Sequence, residues 1–165
     1  MPNFFSFVFL AMLALTTALR IWLSARQMTH VKRYQNTVPT QFADKITLPA
    51  HQKAASYSLV KTRLGLFSLG IEIAVLLALT LGGGLQWLHE FWSPRLDGLT
   101  YGIALIFSVA LLSGLLDLPL SLYLQFVVEE KFGFNRMTLK LFFTDLFKQT
   151  LLGVLIGTPV LLAML

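Results

Sequence analysis

The sequence contains no cysteine. A disulfide framework, an iron–sulfur cluster and a cysteine-ligated zinc site are therefore excluded within these 165 residues. Histidine is scarce too, with only His30, His51 and His89. A zincin site needs two histidines one helical turn apart with a glutamate general base between them, in the order His-Glu-x-x-His. His89-Glu90-Phe91-Trp92 begins in that way, but Ser93 stands where the second histidine belongs. The stretch reads as an interfacial loop, with Trp87 and Trp92 forming an aromatic belt. A Ser-centred nucleophile elbow, a phosphate-cradling glycine loop and an Asp-rich calcium loop are missing as well, so no catalytic mechanism can be written from these residues. Charge is the last scarcity. Only 13% of residues are charged against 56% hydrophobic, and a mean hydropathy of +0.71 lies outside the range of a soluble domain.

What is present is apolar length. A hydrocarbon layer about 30 Å thick takes roughly 20 residues of helix at about 1.5 Å each. Four stretches qualify: residues 4–23, 64–88, 99–128 and 146–165. The expected fold class is an all-α, multi-pass transmembrane bundle of four spans. Residues 4–23 have no basic segment before them and no small-residue cleavage site after them, so they read as a retained helix and not a signal peptide. The loop between the first two spans carries Arg26, Lys32, Arg33, Lys45, Lys53, Lys61 and Arg63 against Asp44 alone. Few charges follow the second span, and Lys131, Arg136, Lys140 and Lys148 return after the third. The positive-inside rule then places the first and third loops in the cytoplasm and the N-terminus outside. This distribution also accounts for the net charge of +5 without nucleic acid. Membrane lipid is the first partner. The short N-terminus, the compact loops and the lack of an endoplasmic-reticulum retrieval signal point to a bacterial inner membrane, with the endoplasmic reticulum as the eukaryotic counterpart.

Inside the loops, Val38-Pro39 and Leu48-Pro49 favour extended or turn structure, residues 52–63 read as a short helix leading into the second span, and Gly82-Gly83-Gly84 loosens that span's outer end. Polar residues recur at helical spacing within the spans: Thr16, Arg20 and Ser24; Gly65, Ser68, Glu72 and Thr80; Ser113, Asp117, Ser121 and Gln125. A charge facing lipid at mid-bilayer costs at least about 2.5 kcal/mol, so Glu72 and Asp117 are expected to face the bundle interior or a water-filled cavity. Arg20, Glu72 and Asp117 all fall in the cytoplasmic half or near the midplane and can meet in one cytoplasm-facing cavity. An Arg20 ion pair that locks helices together, or Arg20 snorkelling to the interface, is the competing reading. Pro119, two residues after Asp117, should kink the third span, and Gly153 and Gly157 permit close helix contact.

The most distinctive stretch runs from Leu118-Pro119-Leu120-Ser121-Leu122-Tyr123 through Phe126-Val127-Val128-Glu129-Glu130-Lys131-Phe132-Gly133-Phe134-Asn135-Arg136-Met137-Thr138 to Phe143-Thr144-Asp145-Leu146-Phe147-Lys148. Physically it is a tight helix–turn–helix, in which Gly133 suits a left-handed helix end and Asn135 or Thr138 can cap the next helix. Its Glu-x-x-x-Gly-Phe-Asn-x-x-Thr and Phe-x-x-Asp-x-x-Lys pattern, carried by Glu129, Gly133, Phe134, Asn135, Thr138, Asp145 and Lys148, closely resembles the membrane domain of the type I CAAX prenyl proteases, integral-membrane zinc metalloendopeptidases. The resemblance covers roughly residues 34–148.

The resemblance implies a ring of about seven helices around a large chamber, with a cytoplasmic metalloprotease domain holding zinc through His-Glu-x-x-His and a later glutamate. Eukaryotic members of that family remove the last three residues of prenylated CAAX proteins. On this reading residues 1–165 are the N-terminal membrane domain, and zinc, the fifth helix and the catalytic domain belong to a longer protein whose C-terminal part is a partner of this one. The chain itself holds neither zinc nor catalytic residues, and alone it should be inactive. Arg20, Glu72, Asp117 and Gln125 are the chamber-lining or structural candidates, while Glu129 and Asn135 order the loop beneath the catalytic domain. A peptide or protein, prenylated in the eukaryotic case, is the expected substrate. A non-catalytic binding or assembly subunit, or a small transporter-like protein, stays open as the alternative.

Overall fold

A computed structural model describes residues 3–164, and every described element is helical. Helix α1 is Phe4–Tyr34 and is followed by a 3-10 turn at Thr40–Phe42. The remaining helices are α2 at Leu48–Thr80, α3 at Gly84–Trp92, α4 at Gly98–Tyr123, a one-turn α5 at Glu129–Lys131 and α6 at Leu139–Met164. A π-helical turn at Leu124–Val128 joins α4 to α5. Among the described residues four helical segments are long and apolar enough to cross a membrane: Phe4–Tyr34, Leu48–Thr80, Gly98–Lys131 and Leu139–Ala163. These match the four expected spans. Leu165, the last residue of the expected fourth span, lies outside the described residues. The chain divides into two compact units, residues 1–70 and 71–165.

Two helices outrun their apolar stretches. Helix α1 continues eleven residues past Leu23, because Ala25, Arg26, Gln27, Met28, Lys32 and Arg33 are all good helix formers. Helix α2 begins at Leu48, earlier than expected, and absorbs the separate lead-in helix of residues 52–63. Pro49 does not prevent this, since a proline in the first turn forfeits only an amide with no helical acceptor. Thr47 Oγ1 accepts a bond from the Ala50 amide at 3.4 Å and helps to start the helix.

The second expected span ends sooner than residue 88. Helix α2 stops at Thr80, and Gly83 turns the chain at φ 80° before α3 begins. Residues 84–92 are therefore a short helix, which corrects the reading of His89-Glu90-Phe91-Trp92 as a loop. Trp92 Nε1 donates to Ser108 Oγ of α4 at 2.9 Å, and His89 Nδ1 lies 2.8 Å from the Tyr101 hydroxyl. These bonds pin α3 against α4. A Cβ on Gly84 would come within 2.9 Å of the Leu79 backbone, so the turn needs glycine at 84 for space and at 83 for its φ. Gly83→Val should cost about 1–3 kcal/mol, read as a lower unfolding temperature in detergent. Gly114→Ala, in open space within α4, should not lower it.

Among the described residues almost none is buried inside the chain. The buried apolar residues are Ala55, Leu69, Leu88, Val128 and Phe132, while Phe4, Phe7, Trp22, Leu111, Phe147 and Ile156 are exposed. Helices apolar all round and uncovered by their own chain require lipid or further helices as neighbours. Gly157 supplies one internal contact: a Cβ there would meet Phe107 of α4 at 3.8 Å, whereas one on Gly153 would meet open space. The Gly-x-x-x-Gly pair thus has one residue against α4 and one free.

Candidate functional site at the third loop

Polar residues of the third span converge where α4 gives way to the turn before α6. An i, i+4 series drifts by about 40° per step around an α-helix, because four residues exceed one 3.6-residue turn. Ser113, Asp117, Ser121 and Gln125 would spread accordingly. The π turn at Leu124–Val128 adds a residue to one turn and opposes that drift, re-aiming Gln125 and Glu129. Pro119, whose missing N–H cannot reach the Leu115 carbonyl, lies within a helix assigned continuously as Gly98–Tyr123. The observed departure from α geometry comes five residues later. At that point the Leu124 amide reaches both the Leu120 and Ser121 carbonyls.

The helix then ends as expected at Gly133, with φ 67°. The Phe134 amide donates to the Glu129 carbonyl at 2.8 Å and the Gly133 amide to the Glu130 carbonyl at 2.9 Å. That pair of bonds is a complete Schellman closure. Thr138 caps α6, its Oγ1 accepting from the Leu141 amide at 3.2 Å. Phe126 meets Phe142 edge to face at 5.7 Å between centroids, joining the π turn to the start of α6.

Asn135 forms the centre of the turn. Its Oδ1 accepts from Gln125 Nε2 at 2.9 Å and from the Met137 amide at 2.8 Å, and its Nδ2 donates to Glu130 Oε2 at 3.0 Å. Gln125 Nε2 also donates to Glu129 Oε2 at 2.9 Å. An amide group fits this position because the Met137 N–H needs an acceptor and Glu130 needs a donor. Gln125, Glu129 and Asn135 are all partly buried. The structure thus gathers three of the candidate residues into one network and places Gly133, Phe134 and Thr138 in the turn around it. Asp145 is partly buried on α6 and Lys148 is exposed one turn further on. Sequence reading missed Glu130, although its position five residues before Asn135 across a glycine turn was the available signal.

The remaining candidates lie elsewhere. Arg20 is on α1 in the first unit; Glu72, on α2, and Asp117, on α4, are in the second, and all three are exposed in this chain taken alone. Thr16 and Thr80 satisfy their hydroxyls on the carbonyls of Met12 and Leu76, so these two members of the polar stripes need no external partner. Among the described residues no three His, Cys, Asp or Glu side chains are grouped to hold a metal ion. His89 is turned to Tyr101, and Glu90 accepts from Gln86 at 2.8 Å. No step through a metal is derived from these residues.

Residues 27–165 match the family model described as the CAAX prenyl protease N-terminal domain, with five membrane helices. The chain belongs to the CAAX prenyl protease family. It is similar to the CAAX prenyl protease 1 homolog of Arabidopsis thaliana, at 31% identity over 87% of this chain and 35% of that protein. A local match to CAAX prenyl protease 1 of Saccharomyces cerevisiae reaches 56% identity over 50 residues, 30% of this chain and 11% of that protein. Among solved structures, S. mikatae Ste24p matches with a TM-score of 0.82 at 28% identity, over 93% of this chain and 37% of that one. The chain therefore spans about a third of the length of such CAAX prenyl proteases. What it matches is the N-terminal membrane domain of that family.

Proposed function

We propose that residues 1–165 form the membrane domain of a zinc metalloendopeptidase and one part of the wall of its intramembrane substrate chamber. The observation that carries this reading is the family match over residues 27–165. In this proposal zinc and the groups that act on the peptide bond reside in the part of the protein that follows. Arg20, Glu72, Asp117 and Gln125 line or brace the chamber, and the Gln125–Glu129–Asn135 network keeps the third loop in one shape beneath the catalytic domain. The substrate is a peptide or protein, and a prenylated CAAX protein is the class that the relatives' name, CAAX prenyl protease, suggests. The chain alone, without His-Glu-x-x-His, is inactive. Full-length protein in detergent should release the last three residues of a farnesylated CAAX peptide; if neither farnesylated nor unmodified peptides are cut, the reading fails.

The proposed orientation has the N-terminus outside and the first and third loops in the cytoplasm of a bacterial inner membrane, or of an endoplasmic reticulum membrane in a eukaryote. Because the chain has no cysteine, single replacements report topology cleanly. In intact bacterial cells Asp97→Cys should react with a maleimide that does not cross the inner membrane, whereas Lys45→Cys and Arg136→Cys should react only after lysis; in sealed microsomes of a eukaryote Lys45→Cys and Arg136→Cys should react, and Asp97→Cys only after permeabilisation. The opposite labelling pattern rejects the orientation.

A further inference from the structure

The first unit contains a cleft that the proteolytic reading leaves without a role. It has a volume of about 530 Å³ and is walled by His30, Tyr34, Pro39, His51, Ala55 and their neighbours, where the end of α1 faces the start of α2. His51 Nε2 lies 3.2 Å from the Tyr34 carbonyl, and Gln52 Nε2 donates to Asn36 Oδ1 at 3.0 Å, so the two helices are tied together at this place. The His30 and Tyr34 rings lie tilted against each other, with centroids 4.6 Å apart. The surface lining the cleft is almost wholly carbon, as expected for a pocket that receives an apolar group. Its surroundings are cationic. Lys32, Arg33 and Lys53 are exposed beside lining residues, the Arg33 guanidinium lies 5.9 Å from the Tyr34 ring centre, and residues 24–63 hold seven basic side chains against Asp44.

Depth decides between a lipid and a polypeptide. Counting about 1.5 Å per helical residue from Leu23 and Leu64, the apolar limits of the two spans, the lining residues lie about 9–20 Å beyond the hydrocarbon. The headgroup layer reaches only about 5–8 Å past that boundary. A tilt of about 20° shortens the reach by only about a twentieth. The cleft therefore opens to water, beyond the lipid headgroups. We infer that it is a docking site for an acidic peptide segment of a separate protein, anchored by one apolar side chain in the cleft and held by Lys32, Arg33 and Lys53 around it. Burial of the anchor supplies affinity. The charges supply steering and a dependence on salt.

The test is a fluorescence-anisotropy titration of full-length protein in nanodiscs of neutral lipid. The probe is a dye-labelled, glutamate-rich 12-residue peptide with a central phenylalanine. Binding should be micromolar and should weaken at least tenfold when serine replaces the phenylalanine, when lysines replace the glutamates, or between low and high salt. On the protein side, Ala54→Trp, which fills the cleft from an exposed position, and the pair Lys32→Glu and Arg33→Glu should each weaken it at least tenfold. The serine and lysine peptides test the idea on unaltered protein, so a variant that fails to fold does not shield it. Absence of binding at millimolar peptide, or equal affinity for the serine peptide, overturns the inference. So does an anionic phospholipid found on the protein by native mass spectrometry and lost in Ala54→Trp. The readout is binding alone, so failure of the protease reading would leave it standing.

Discussion

Asn135→Asp in the full-length protein is expected to lower kcat/KM for a CAAX peptide at least tenfold, more than Asn135→Ala does. Alanine removes three hydrogen bonds, to Gln125, Glu130 and the Met137 amide. At about 1 kcal/mol each, that is enough to loosen the turn. Aspartate keeps the acceptor for Met137 and Gln125 but replaces the donor facing Glu130 with a second carboxylate, at a site where the partners are 3.0 Å apart. Repulsion then adds to the lost bond. The defect should appear in peptidase assays while the level of protein in the membrane stays unchanged. If Asn135→Asp keeps full activity, the third loop has no part in presenting substrate to the catalytic domain.

The second large effect is expected from the membrane carboxylates. Asp117→Asn and Glu72→Gln should each reduce kcat/KM about tenfold, mainly through KM, while the unfolding temperature in detergent stays within about a degree. A tenfold change corresponds to about 1.4 kcal/mol in transition-state binding. The argument is energetic: a carboxylate among apolar spans is costly unless water or a partner meets it, and a water-filled chamber would supply the water. If these residues only lock helices, the same substitutions lower the unfolding temperature and leave KM unchanged. Unchanged activity together with unchanged folding defeats the chamber-lining role outright.

The spans could be read directly because lipid imposes one requirement, apolar length, that residues 4–23 and 99–128 meet without help from tertiary packing. The third loop could be read because Gly133 and Thr138 each have a local reason for their place, a left-handed helix end and a helix cap, and the structure realises both; Asn135, the other cap candidate, instead accepts from the Met137 amide before α6 begins. Helix limits were harder to read. Nothing in hydropathy predicts that α1 continues to Tyr34 or that α2 starts at Leu48, since charged residues leave a span without leaving the helix. Gly82-Gly83-Gly84 suggested a loosened helix end, and only the positive φ of Gly83 reveals that a separate helix follows. The π turn at Leu124–Val128 has no sequence signature. The pairing of His30 with His51 in one cleft depends on how the loop between them folds back, which no local pattern encodes.

The account rests on residues 1–165 being the membrane portion of a zinc protease, and metal analysis tests that most directly. The measurement is zinc content by mass spectrometry of the protein extended to its natural stop codon, purified beside residues 1–165 alone, each before and after chelation. The account predicts about one zinc per extended chain and none on residues 1–165, with peptide cleavage present only in the extended form and abolished by the chelator. An extended protein free of zinc and unable to cut any peptide, or a reading frame that closes at Leu165, would contradict it.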